Sequence, residues 1–185
     1  MRAFLYSLMA AGALATLAPG ASSGQAAPPP PPAKTGDVES VDAIIKALYD
    51  VISGPAGQVR DWDRFRSLFA PGARLIPTGR DQQGKGRIAS IWSPEEYAAV
   101  AGKRLEESGF FEREIGRVEE RFGNVVHAFS SYDSKRTLED PKPFSRGINS
   151  IQMLTDGTRY YIVSIFWDSE TGSNPIPAKY LNRAP

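Results

Sequence analysis

The sequence predicts an α+β domain, with helices first and a curved antiparallel sheet after them. Three observations carry this. Apolar residues recur at helical spacing up to about Glu107 and switch to a period of two past Phe110. Three helical stretches precede a run of long strands joined by tight turns, the order that defines this class. The long strands are apolar on both parities, so neither face of their sheet is left wholly to water.

Val41, Ile44, Ile45, Leu48 and Ile52 mark one face of a helix over about 38–53. Asp37 is its expected cap, and Gly54-Pro55 ends it. A shorter helix follows Gly57, with Trp62, Phe65, Leu68 and Phe69 on one side and Pro71-Gly72 as its stop. The two make a helical hairpin. Ala73–Thr78 and Arg87–Trp92 read as short strands around a polar, glycine-rich turn. Ser93-Pro94-Glu95-Glu96 is a capping box with proline at the first helical position, opening a helix to about Glu107.

From Phe110 the pattern alternates. Phe111, Arg113 and Ile115 point one way, Glu112 and Glu114 the other. The apolar parity then moves to Val118 and Phe122, which a one-residue bulge at Gly116 explains. Gly123-Asn124 turns the chain into a return strand over Val125–Tyr132. Ser145–Leu154 and Arg159–Trp167 form a second hairpin about Asp156-Gly157. On the last strand Tyr161, Val163, Ile165 and Trp167 are expected on one face, and Tyr160, Ile162 and Phe166 on the other.

Residues 1–27 read as a secretory signal: Arg2, an apolar run to Ala18, then Pro19-Gly20 and small residues up to Ala27. The run is short for a membrane span, which needs about 20 residues. An uncleaved N-terminal anchor is the alternative reading. Cleavage would leave no membrane span and a periplasmic or secreted protein. Residues 28–36 are a proline-rich linker, 37–170 the folded domain, and 171–185 a C-terminal tail.

Composition works by exclusion. Lys and Arg total 22 against 21 Asp and Glu, which argues against a broad nucleic-acid surface. There is no cysteine, which removes disulfides, thiolate metal sites and cysteine nucleophiles. The single histidine, His127, excludes a multi-histidine metal centre. No metal site, nucleotide site or other cofactor is expected.

The element order resembles the nuclear transport factor 2-like superfamily, also called SnoaL-like or cystatin-like α+β cone proteins. The resemblance spans about 37–170. Its carriers are Asp61-Trp62-Asp63-Arg64-Phe65 in the opening hairpin, the stretch from Gly123 to Tyr132, and Gly147 to Leu154 followed by Asp156-Gly157 and Tyr160 to Ile165. It implies a curved sheet wrapped around three helices, with a hollow that binds small apolar or amphipathic molecules in many members. Some members are isomerases, dehydratases or cyclases; others bind or assemble without catalysis. No catalytic motif of the family aligns onto this chain.

His127 is the one side chain whose unperturbed pKa lies near neutrality, so it is the candidate general base if it faces the hollow. A hydrogen-bonded histidine in the core or an interface is the other reading. Asp133 and Asp168, at strand ends, are candidates to orient it, and Asp168 is also a candidate catalytic residue. A triad of Ser130 or Ser131 with His127 and Asp133 is rejected, because neighbours on one strand point to alternating faces. Gly79–Lys85 matches most of a phosphate loop, but Gly86 stands where the hydroxyl belongs and no helix follows. Asp61 and Asp63 suit a helix N-terminus. Trp62, His127, Tyr132, Asn149, Gln152 and Trp167 are the candidate ligand-binding set. The two expectations are therefore a non-catalytic binder of a small molecule and a cofactor-free enzyme using His127 or an Asp. The two-faced strands also predict a homodimer through the sheet.

Overall fold

The computed structural model describes residues 29–181; the expected signal segment, 1–27, lies outside them. A single turn, α1 (Thr35–Val38), precedes the first full helix, α2 (Val41–Ile52). The cap of α2 is Ser40, whose hydroxyl accepts from the Ala43 amide at 3.0 Å, and not Asp37. Asp37 is taken instead by Arg64 of α3 (Trp62–Ser67), in a fork of 2.7 and 2.9 Å. The same guanidinium reaches Asp50 of α2 at 2.7 Å, so one arginine ties the three helices together. Its hydrogen bonds hold the Asp37 carboxyl below the usual carboxylate range.

α3 ends at Ser67, so Phe69 belongs to β1 (Phe69–Arg80) and not to the helix as expected; Pro71-Gly72 lies within β1 at an irregularity of its pairing, where Gly72 takes a φ of +80°. The Gly79–Gly86 stretch is the hairpin turn to β2 (Gly86–Ile88), with Asp81 Oδ1 accepting from the Gln83 and Lys85 amides. α4 (Pro94–Ser108) starts with both bonds of the capping box: Glu96 N–H to Ser93 Oγ, and Ser93 N–H to the Glu96 carboxylate. Then come β3 (Phe111–Phe122), β4 (Val125–Lys135), β5 (Ser145–Thr155) and β6 (Tyr160–Ser169).

The six strands form one sheet in the order β2-β1-β6-β5-β4-β3. β3 to β6 are antiparallel neighbours, as the alternating pattern requires. β1 pairs with β6 in parallel, so the sheet is mixed. The crossover through α4 separates β1 from the later strands and frees its direction from the hairpin rule. The helices pack on one face, called inner here. Ile44, Phe65, Leu68, Val126, Ala128, Ile151 and Ile162 are buried between the layers. Among the described residues no helix is long and apolar enough to cross a membrane.

Two bulges in the antiparallel part of the sheet set which side chains face the helices there. The first lies between Glu114 and Gly116, where the sequence places it. The second, opposite Gln152–Met153, makes Val163 the extra residue of β6. Ile162 and Ile165 therefore both face the core, and the expected strict alternation along β6 is corrected at that point.

The segment after β6 does not leave the domain. Glu170 pairs with Arg146 at 2.9 Å and accepts from the Ile176 amide at 2.9 Å. The chain then crosses the outer face as a strap, ending in a 3₁₀ turn at Ala178–Tyr180. The Ser131 hydroxyl donates to the Tyr180 carbonyl at 2.8 Å, and the Tyr180 ring lies 5.0 Å from Phe129. Gly116 makes this approach feasible, because a side chain there would collide with the Tyr180 carbonyl.

Candidate functional site

Between the sheet and the helices lies a half-open hollow of about 380 Å³. One side is apolar and aromatic, built from Trp92, Tyr97 of α4, Phe110 and Trp167 of β6. Tyr97 stacks on Phe65, with ring centroids 5.4 Å apart, and meets Trp92 edge-on at 6.1 Å. The other side is polar. Glu112 opens β3 and sends its side chain inward beside Ser134, Asn149 and Tyr132.

Glu112 as a residue is only partly buried, but its carboxyl is the enclosed end. The Ser134 hydroxyl donates to it at 2.7 Å. Burial pushes this carboxyl up to about 7, against the hydrogen bonds from Ser134 and Asn149, and the Asp133 charge adds to the rise. Burial likewise lifts the hydroxyls of Tyr97, Tyr132 and Tyr49 above the usual tyrosine value. All three are therefore neutral hydrogen-bonding groups.

A buried chain of hydrogen bonds leads away from this end. Asn149 Nδ2 donates to Tyr49 Oη at 3.1 Å, Tyr49 and Ser130 share a bond of 2.8 Å, and Ser130 Oγ donates to Glu114 at 2.6 Å. The Ser130 donation orients the chain, so Tyr49 donates to Ser130. Glu114 is also raised by burial and lies 3.5 Å from Arg117. Gly147 lies opposite Tyr132 on the neighbouring strand, and its missing side chain leaves room for the Tyr132 phenol to reach Ser169 at 3.4 Å.

A wider groove of about 640 Å³ runs between α2 and β3, and Glu112 borders it as well. Several of its charges pair with one another: Arg113 forks onto Asp133 at 2.9 and 3.0 Å, and Arg117 pairs with Asp42. The hollow combines apolar walls with few polar groups and is the stronger candidate site.

The hollow brings together Tyr132, Asn149 and Trp167 of the candidate set. Trp62 stands behind the wall, against Gly102 of α4 and edge-on to Phe65 and Tyr97. His127 and Gln152 are paired across β4 and β5 on the outer face, away from the hollow. His127 Nε2 is 3.0 Å from Ser150 Oγ, and its ring edge meets Phe129. Asp168 is on the outer face as well, bordering a groove beneath the strap. His127 and Asp168 thus cannot reach an occupant of the hollow, and the reading that placed His127 there is corrected. The reason is register. Ser130 and Tyr132 share the parity of the buried Ala128, while His127 is odd. Ser130 and His127 accordingly face opposite ways. Ser131 and Asp133 share the face of His127, but Ser131 donates to the Tyr180 carbonyl and Arg113 holds Asp133, while His127 pairs with Ser150, so no triad forms.

Glu112 escaped the sequence reading. The available signal was the alternation of Glu112 and Glu114 against Phe111 and Arg113. An amphipathic strand is ordinarily read with its apolar side inward. In β3 the helices meet the glutamate side, and Phe111, Val118 and Phe122 face outward.

A curved sheet around a helical layer with an internal cavity defines a cystatin-like α+β cone. Solved structures name that class. A protein of unknown function with a cystatin-like fold from Nostoc punctiforme superposes with a TM-score of 0.53 at 12% identity, covering 71% of this chain and 90% of its own. An NTF-2 like protein of unknown function from Silicibacter pomeroyi gives 0.46 at 12%, over 70% and 92%. A putative ketosteroid isomerase from Shewanella frigidimarina gives 0.45 at 12%, over 74% and 99%. The protein therefore has a cystatin-like α+β fold. No protein-family model and no curated protein matches the chain.

Proposed function

We propose that the protein is an exported binding module that holds a small apolar or amphipathic molecule in the hollow without catalysis. The observation that carries this reading is the hollow itself: about 380 Å³, aromatic along one side, with a few convergent polar groups at the other. That volume lies in the range typical of small-molecule sites. The Trp92 and Trp167 rings supply both the apolar wall and a built-in fluorescent reporter.

Native mass spectrometry of protein purified from cells, with tryptophan fluorescence during titration by an apolar probe, tests it. The expected result is a retained small molecule, or saturable quenching by the probe. A bare protein that no apolar probe quenches overturns the reading. Export predicts a mature chain starting near Pro28 in the periplasm or medium; an intact N-terminus in the cytoplasm contradicts it.

One observation favours a second reading, a cofactor-free isomerase, dehydratase or cyclase. Glu112 is a carboxyl near neutrality inside the hollow, which suits a general base. Under that reading the role expected of His127 or an Asp passes to Glu112. The homodimer is proposed through the outer face, where Val163, Phe166 and Leu154 remain 42%, 44% and 39% exposed beside the strap. Sedimentation as a monomer at micromolar concentration removes it.

A further inference from the structure

The polar end of the hollow carries a carboxyl that no cation answers. Among the described residues Glu112 takes part in no ion pair. The cations of the neighbouring strand positions are committed elsewhere: Arg113 holds Asp133, and Arg117 holds Asp42 and lies against Glu114. The charged and titratable groups around this end are Lys46 and Tyr49 from α2, Tyr97 and Arg104 from α4, Arg113, Glu114 and Arg117 from β3, and Tyr132, Asp133 and Lys135 from β4. Arg104 is the one cation of the hollow's lining; it is exposed, and its charge acts on Tyr97. The tyrosines are neutral, and the neighbouring charge that acts on Glu112 is the acid Asp133, which adds to the rise that burial causes.

The opposite wall acts in the same sense. Trp92, Tyr97 and Trp167 line the same cavity with aromatic rings, which carry negative faces. A carboxylate opposite aromatic rings in such a hollow is complementary to an organic cation. A neutral occupant would leave the carboxylate unanswered or force it to keep its proton. An anionic occupant would face the Glu112 carboxylate directly.

We propose that the hollow selects a protonated amine with an apolar body, its ammonium group against Glu112 and its body among Trp92, Tyr97 and Trp167. This inference rests on the binding reading above and names the chemistry of the occupant. An ammonium donates up to three hydrogen bonds and gives the buried carboxylate the counter-charge it lacks. The coupling to pH has a defined sign. The free carboxyl titrates at about 7, and the ammonium binds its ionised form. Below that value binding expels one proton from Glu112 to solvent; above it no proton moves.

The test uses three probes with the same phenylethyl body, 2-phenylethylammonium, 2-phenylethanol and 3-phenylpropanoate, titrated against the full chain by tryptophan fluorescence from pH 5 to pH 8. Affinity for the ammonium is expected to rise by about tenfold per pH unit up to about 7 and then level, while the alcohol stays flat. At pH 8 the order is ammonium, alcohol, carboxylate, and Glu112→Gln brings the ammonium down to the alcohol. The pH profile of the unsubstituted protein stands even if that variant fails to fold. An alcohol that binds as well as the ammonium at pH 8, or an ammonium affinity indifferent to pH, overturns this inference and leaves the binding reading intact. If no probe binds while an unrelated apolar fluorophore does, this inference alone fails. If nothing binds, both fail.

Discussion

The two faces of the sheet are made from the same strands, yet they hold opposite chemistry. On β5, Ile151 points inward and is wholly buried, whereas Leu154 points outward and is 39% exposed. On β3 the order is reversed: Glu112 and Glu114 face the helices, while Val118 and Phe122 face outward. The outer face carries the histidine, and the inner face carries the carboxyl that burial moves into the neutral range. The difference teaches that proton chemistry here is assigned by enclosure. Glu112 has an ordinary value of 4.5, and burial takes it to about 7.

The strongest way to break the comparison is to shorten one side chain on each face of β5. Ile151→Ala should cost about 2–5 kcal/mol and Leu154→Ala under about 1 kcal/mol in urea denaturation. Equal costs would mean that the layers do not pack as described. The next effect depends on pH. Below pH 4.5 Glu112 is protonated in both the folded and unfolded chain and costs nothing. Above about 7 it is ionised in both, and the folded chain bears the full burial penalty, on the order of 3 kcal/mol. Glu112→Gln, which keeps an acceptor for Ser134, should therefore stabilise the protein by up to that amount at pH 8 and by little at pH 4. A gain that does not change with pH would refute the burial account.

Gly147→Ala should cost about 1–3 kcal/mol, because the added methyl meets the Asp168 carbonyl and the Tyr132 ring. It should also disturb probe binding in the hollow, read by tryptophan fluorescence. The smallest effect belongs to the outer face. His127→Gln should change stability by less than about 1 kcal/mol, since it gives up a half-exposed hydrogen bond to Ser150. Probe binding should be unaffected; a loss of binding in His127→Gln would return that residue to the site.

Local patterns made much of the fold legible. The capping box at Ser93, the bulge at Gly116 and the hairpin turns at Gly123-Asn124 and Asp156-Gly157 are short-range features, and each appears where its residues stand. Three of the six candidate binding residues, Tyr132, Asn149 and Trp167, meet in the hollow. Of the others, Trp62 packs behind the wall from α3, and the two strand residues were misplaced for one reason. Strand periodicity reports that alternate residues share a face and leaves open which face is covered. His127 and Gln152 fell on the wrong side by that ambiguity, and Glu112 was passed over because a glutamate pattern reads as solvent-facing.

Sequence by itself determined the elements, their order and the exclusion of thiolate and multi-histidine chemistry, because these depend on residues near in the chain or on composition alone. Tertiary structure decided the parallel pairing of β1 with β6, the strap over the outer face and the enclosure of Glu112. Each of those depends on which surfaces meet across long stretches of chain, and a carboxyl's proton affinity follows the dielectric and charges that such meetings place around it.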